Sequence, residues 1–488
     1  MAVERKKTLT LISFFSSARV LSEAFFFIRG LLLAKIFGPN TLGIWTQMKL
    51  VHMFFAYAHL GTSDAMMREV PYAVGRSDLL LAERIKSTTL GFNLIVSSCL
   101  AIFLCIYIFI PEESAVKALR SEWALFALVF LFSQVYWYAI IRLQAEKRIG
   151  RSSAMILGFA INSTVVGTVG AKYFGLGGFL MALGISYLLM LVWGGSLSFY
   201  RSPFLDLTLL RDLIRKGFPI MMSVALLMLL GNVDKIMIGL LMSTQDLGIY
   251  SLQSYITNLI MIIPHSVATV LYPSLMEKIG RIGDKKTLEG YLTQPTLTLA
   301  YLVCPLLGVI FLTIHLPIQW LLPQYIQAIV PGQILVSAVF FMAIASMPAT
   351  ILVSLNRQNM LLALTGVSVM VGAITDYILI KSGKGIIGAA IGTSLSFVIY
   401  SSLTMISSLH ALKMSIKNSI SFLVLIAIPY ITVFILVYMI CKFIPVTDAG
   451  WIPDFVYTTI GCFIILVLMA GLYYVVNLRF RLFEGKII

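Results

Sequence analysis

Ser419–Cys441 reads SISFLVLIAIPYITVFILVYMIC, a run with no charged residue between Lys417 and Lys442. As a helix rising 1.5 Å per residue it is long enough to cross the roughly 30 Å hydrocarbon core of a bilayer. The pattern repeats outward from this stretch over the whole chain. Spans are expected at 8–37, 42–67, 87–110, 121–141, 152–172, 176–199, 217–242, 247–275, 290–314, 328–355, 360–380, 386–409, 419–441 and 454–477. Composition agrees: 59% of residues are hydrophobic and 12% charged, where soluble domains run at about a quarter charged. So few charges cannot cover a water-exposed surface. The expected fold class is an all-α polytopic membrane protein with about 14 transmembrane helices.

The net charge of +15 suggests a nucleic-acid partner until the basic residues are placed. They fall in alternate loops: Arg5, Lys6, Lys7; Arg68, Arg76, Arg84, Lys86; Arg142, Lys147, Arg148, Arg151; Arg201, Arg211, Arg215, Lys216; Lys278, Arg281, Lys285, Lys286; Arg357; Lys413, Lys417; Arg479, Arg481, Lys486. The opposite side holds Lys35, Lys117, Arg120, Lys172, Lys381, Lys384 and Lys442. This asymmetry, about 25 against 7, is a topology signal and predicts both termini in the cytoplasm. The basic loops are short and lack interleaved aromatics, so no nucleic-acid partner is expected. The apolar stretch after Thr8 is too long for a signal-peptide core and reads as a retained first helix. The cysteines (Cys99, Cys105, Cys304, Cys441, Cys462) lie singly in apolar runs and read as packing residues.

The chain also resembles itself. Leu42-Gly43-Ile44-Trp45 recurs as Leu247-Gly248-Ile249-Tyr250, and at that offset Arg29 falls on Asp234. Gly175, Gly178, Ser186 and Tyr187 recur as Gly385, Gly388, Ser396 and Phe397. Two six-helix lobes are therefore expected, 1–200 and 217–410, joined by an amphipathic linker at 201–216. Two further helices and a tail follow at 411–488. An even helix count inserts both lobes the same way up, an arrangement in which transporters place the substrate path between the halves.

Ionisable residues within the spans need a reason, since each costs about 2.5–3.5 kcal/mol at mid-bilayer on insertion scales. Arg19 and Glu23 are four apart on one helical face and suit either an internal ion pair or a site. Lys49, His52 and His59 form one stripe with Trp45, readable as a hydrated packing face or as cavity lining. Arg29, Lys49 and Lys235 each lie roughly 10–12 Å below the outer boundary by helical rise. They either snorkel to the headgroups or line a cavity suited to an anion such as phosphate.

Several chemistries find no support. No phosphate-binding Gly-Lys-Ser/Thr loop, Cys/His metal spacing or nucleophile elbow occurs. The pair Glu112-Glu113 beside Pro111 suits a solvated loop cap or, in a membrane glycosyltransferase, a metal-holding acid pair. No catalytic residue, cofactor or metal site is expected.

The run Leu33-Ala34-Lys35-Ile36-Phe37-Gly38-Pro39 with Leu42-Gly43-Ile44-Trp45, and the segment Leu60-Gly61-Thr62-Ser63-Asp64-Ala65 through Arg68-Glu69-Val70-Pro71, are similar to the Wzx-type O-antigen flippases. These belong to the multidrug/oligosaccharidyl-lipid/polysaccharide exporter superfamily. Motif-level likeness covers about 35–76 and 234–275. The resemblance implies two lobes around a central cavity in a bacterial inner membrane, and a polyprenyl-pyrophosphate-linked oligosaccharide as cargo. Helices thirteen and fourteen would hold the lipid tail, and a glycan polymerase and a chain-length regulator would be partners. It assigns the head group to Arg19, Arg29, Lys49, His52, His59 and Lys235, and ion coupling to Glu23, Asp234, Asp64 and Asp376. A cation-coupled drug exporter of the same superfamily is the alternative, with a membrane glycosyltransferase or polymerase further off.

Overall fold

The computed structural model describes the backbone of residues 2–109, 119–195, 204–282, 285–443 and 451–480. Side chains are described over 17–106, 119–195, 204–264, 266–267, 288–443 and 452–477. Glu112 and Glu113 lie outside the described residues. Helices account for nearly everything described: α1 Ala2–Ala56, α2 Thr62–Gly75, α3 Leu79–Phe109, α4 Arg120–Ala145, α5 Ile149–Trp193, α6 Leu207–Leu230, α7 Val233–Leu241, α8 Thr244–Ile282. There follow α9 Lys285–Thr313, α10 His315–Leu321, α11 Ile329–Ser354, α12 Gln358–Leu379, α13 Gly385–Ala411, α14 Ile416–Phe443 and α15 Trp451–Phe480.

Ten stretches among the described residues are long and apolar enough to cross a membrane. Two of them, Ile149–Trp193 and Gln358–Ala411, are long enough for two crossings each. The reversals are made by glycine rather than by loops. Gly38 (φ 69°) breaks α1 directly before Pro39, which lacks the N–H needed to continue the ladder. Gly175 (φ 61°, ψ −147°) and Gly385 (φ 54°, ψ −138°) turn the chain in nearly the same conformation, one that side chains resist. These two glycines are paired by the sequence repeat, so the repeat holds at the level of backbone geometry. With two crossings in each of those two long stretches the described residues give twelve spans, and the first two expected spans, 8–37 and 42–67, fall on α1 and α2.

Two spans differ from expectation. The second, read as continuous over 42–67, ends at Ala56. A 3₁₀ turn at Tyr57–His59, left-handed Leu60 (φ 50°) and Gly61 (φ 82°) follow before α2 restarts at Thr62. The cause is distant in sequence. A Cβ on Gly61 would overlap the Gly217 carbonyl, and one on Gly217 would overlap Gly61 O, so α6 crosses this point backbone against backbone. Small residues permit such approaches where apolar burial alone gives no drive to associate. The seventh span also breaks, at Gly231-Asn232, between α6 and α7. Residues 207–216 of the expected linker form the first turns of α6, capped by Asp206, which accepts from Thr208 and Leu209 N–H at 3.1 Å each. The Thr208 hydroxyl, the Leu209 amide and Arg84 lower the Asp206 carboxyl to about 2.

Contacts divide the chain into two units, Met1–Ala225 and Leu226–Ile488. In the first, α1, α4 and α5 pack around Leu33, Met48, Phe126, Phe130, Tyr136 and Phe179. At its basic end Lys86, 6% exposed, is held by Glu83 at 2.6 Å and Glu146 at 2.9 Å. Arg142 reaches Glu146 at 3.0 Å, and Tyr138 donates to Lys86 O at 2.9 Å. In the second unit α11 and α13 pack closely, and the last two helices dock on α9. Tyr430 stacks on Phe340 at 4.6 Å, Gly308 admits Val433 and Ile465, and His315 meets Asp454 at 3.1 Å.

The Lys86 network gives the first prediction. Burial works to raise the Glu146 carboxyl, but Lys86 and Arg142 outweigh it and hold it below the ordinary carboxylate range. Its contribution is therefore present above the unfolded carboxylate range and is lost as pH falls through the depressed folded value. Glu146→Ala is expected to cost on the order of 2 kcal/mol near neutral pH, because it strips a buried lysine of one of two partners. Glu83→Ala, at a solvated position, should cost less. Thermal unfolding of the detergent-purified variants measures both, and equal losses would contradict the assignment.

Candidate functional site

Among the described residues, each unit carries a cluster of charge that the sequence had singled out within its spans. In the first unit, Arg29 on α1 donates to Ser163 Oγ on α5 at 2.6 Å. Its guanidinium lies 4.8 Å from the Phe26 ring centroid and 6.0 Å from that of Phe179. Phe179 is fully buried and meets Trp45 edge to face, with centroids 5.0 Å apart and planes at 87°. Lys49, one turn beyond Trp45, places Nζ 5.9 Å from the indole centroid. Phe26, Phe179 and Trp45 thus form one aromatic wall that carries both cations through their negative ring faces. Arg29 and Lys49 also lie within electrostatic range of each other.

The remaining members of the expected set separate. His52 is engaged with Ser133 Oγ at 2.9 Å and packs on Phe130, which makes it a satisfied core histidine. His59 leaves the predicted stripe because the helix ends before it, and its Nδ1 accepts from Gly61 N–H at 3.0 Å. Arg19 is exposed and makes no ion pair with Glu23, which feels both Arg19 and Arg29 at longer range. Asp64 is partly buried in the first turn of α2 beside Tyr57, where a carboxylate suits the helix N-terminus.

The second unit holds the opposite charge. Asp234, 2% exposed, accepts from the Tyr250 hydroxyl at 2.7 Å and lies 3.6 Å from Lys235 Nζ. Lys235 is turned back on its own helix break, donating to Gly231 O at 3.0 Å and Asn232 Oδ1 at 3.1 Å. It thereby satisfies a carbonyl freed by the break, as backbone within a membrane requires. Asp376 on α12 is fully buried within electrostatic range of Asp234, and neither carboxylate oxygen has a hydrogen-bond partner among the described residues. Glycines enclose it: a Cβ on Gly392 would overlap Asp376 Oδ1, and one on Gly372 would overlap Ser396 Oγ. Thr393 sits beside Tyr250 at the same point. Asp234 has Lys235 as a counter-ion, whereas Asp376 has no ion pair among the described residues.

Sequence reasoning had not named Ser163, Phe179, Tyr250 or Thr393 as site residues. The repeat did hold a clue to Tyr250. Its counterpart is Trp45, just as Asp234 answers Arg29, so each unit sets one charge against one aromatic ring.

The model for "Polysaccharide biosynthesis protein" matches residues 9–278. The chain belongs to the polysaccharide biosynthesis protein family. This bears out the resemblance read from residues 35–76 and 234–275. No curated protein matches the chain. Among solved structures, it is similar to the lipid II flippase MurJ in an inward closed conformation, at 14% identity over 94% of this chain and 98% of that one, with a TM-score of 0.71. It is also similar to an inward-facing multidrug resistance MATE family transporter of the MOP superfamily, at 15% identity over 83% and 96%, with a TM-score of 0.64. A MOP superfamily transporter from Pyrococcus furiosus matches at 16% identity over 83% and 96%, with a TM-score of 0.58. The fold is the one these proteins share.

The hydrogen bond to Asp234 is open to test. Tyr250→Phe keeps the buried ring and removes the donor, which should cost about 1–3 kcal/mol because Asp234 Oδ2 loses its partner in a dry site. The expected result is a lower Tm in detergent, while Tyr377→Phe, at an exposed position, leaves Tm unchanged. An unaltered Tm for Tyr250→Phe would contradict the geometry.

Proposed function

We propose that this protein is a flippase for a polyprenyl-pyrophosphate-linked oligosaccharide, an O-antigen or similar repeat unit, in a bacterial inner membrane. The observation that carries the reading is the placement of Arg29 and Lys49 on one aromatic wall inside the first unit. An excess of cations within the spans is stabilised by an anion, and pyrophosphate matches guanidinium and ammonium donors. The family supplies the glycan context, and the similarity to a lipid II flippase supports a lipid-attached cargo.

In this reading the head group enters from the cytoplasmic side while the lipid tail stays in the bilayer along the helices of 411–488. Lobes 1–200 and 217–410 then expose the site outward. Bare passage through hydrocarbon would strip water from every hydroxyl and phosphate oxygen without replacement. A polar site lowers that barrier without making or breaking a bond in the cargo, so the protein is not an enzyme. Both termini lie in the cytoplasm, and a glycan polymerase and a chain-length regulator act next to it. Asp376, within electrostatic range of Asp234, couples transport to a cation gradient, because a buried carboxylate with no hydrogen-bond partner among the described residues is the group whose charge a bound proton or cation would settle.

The same acid pair favours a second reading, a cation-coupled exporter of small molecules. Complementation of a flippase-null strain separates the two. Wild type is expected to restore surface glycan, and Arg29→Ala and Lys49→Ala, expressed at wild-type level, are expected to fail. Retained glycan display by both variants would overturn the assignment of the cationic wall. Drug resistance conferred without glycan display would establish the exporter.

A further inference from the structure

The repeat sets two aromatic residues in equivalent places and the structure uses them differently. Tyr250 is fully buried, and its hydroxyl is engaged with Asp234. Trp45 is half-buried, and its indole N–H has no partner among the described residues; that nitrogen is not sealed from its surroundings either. Its ring is held firmly all the same. Phe179 braces it edge on at 87°, and Phe37 backs Phe179 at 5.9 Å.

A tryptophan in a membrane protein often sits in the interfacial belt, facing headgroups. Trp45 lies near that depth, three residues into the span expected from residue 42, but its ring is turned inward. It packs against the central apolar cluster of its unit and stands beside Lys49. A rigid, amphipathic ring with an unused donor next to a cation is instead a platform for a ligand that is apolar on one face and hydroxylated at its edge. Sugar rings have that character: axial C–H bonds form an apolar face, and the hydroxyls take hydrogen bonds. In a carrier-linked glycan the first sugar is bonded directly to the pyrophosphate. A cation for the phosphate and a platform for the sugar must therefore be neighbours, and Lys49 Nζ lies 5.9 Å from the Trp45 centroid.

We propose that Trp45 is a specificity residue that stacks against the first sugar of the cargo while Lys49 and Arg29 hold the pyrophosphate. This rests on the flippase reading above and adds what that reading leaves open, namely how a glycan-bearing carrier is told from a bare one. Because Phe179 already fixes the ring, little ordering cost accompanies binding.

The test uses the full-length protein in detergent and two probes: a polyprenyl pyrophosphate without sugar, and the same carrier bearing one sugar, in glucosyl, galactosyl and N-acetylhexosaminyl forms. Wild type is expected to bind at least one sugar-bearing form more tightly than the bare carrier. Trp45→Ala should weaken that form about tenfold while changing bare-carrier binding by less than about twofold. Trp45→Phe, which keeps a ring and guards against a folding defect, should retain most of the difference. Lys49→Ala should weaken both probes. Equal weakening of both probes by Trp45→Ala, or no effect on either, overturns the proposal. Wild type that binds neither probe overturns the flippase reading, and the Trp45 assignment falls with it.

Discussion

Hydrocarbon offers no partner to a polar group, and the structure is organised around that constraint. At several breaks and charges within the described spans, a nearby group answers the exposed polar atom. Lys235 and Asn232 take up carbonyls freed at the break between α6 and α7, through bonds to Gly231 O at 3.0 Å and Met228 O at 2.8 Å. His59 serves the break after α1 in the same way through Gly61 N–H. Arg29 is accommodated by a serine and two rings, and Asp234 by a phenol. Asp376 stands apart because nothing among the described residues answers its carboxylate.

The two units set different charges at positions that the sequence repeat pairs. Equivalent positions on equivalent helices carry Arg29 and Trp45 in one unit, Asp234 and Tyr250 in the other. The turn glycines Gly175 and Gly385 kept one backbone conformation while the charge between the helices changed sign. One unit sets cations beside aromatic rings, and the other sets a carboxylate against a phenol.

Most of this architecture was legible in the sequence because membrane spans are local signals. Apolar length, basic loops and the reversals at Gly38, Gly175 and Gly385 need no knowledge of distant residues. The break at Tyr57–Gly61 was not legible, because it follows from Gly217 lying against Gly61, a contact between segments far apart in the chain. The site divided along the same line. Arg29, Lys49 and Asp234 stood out as charges in apolar runs. Ser163, Phe179 and Thr393 did not, since serine, phenylalanine and threonine are ordinary in such runs until folding places them beside a charge. The helical stripe overreached at His59 because it assumed a helix that does not continue.

The central claim is that the cationic aromatic wall carries a sugar-bearing pyrophosphate lipid across the bilayer. Its most direct test is reconstitution of the purified protein into vesicles containing a fluorescent polyprenyl-pyrophosphate oligosaccharide, with an external glycosidase reporting how much of the lipid becomes exposed. The account predicts protein-dependent exposure of the inner-leaflet pool that is lost with Arg29→Ala and unchanged for a scrambled phospholipid control. Exposure that equals protein-free vesicles, or that persists undiminished in Arg29→Ala, would contradict it.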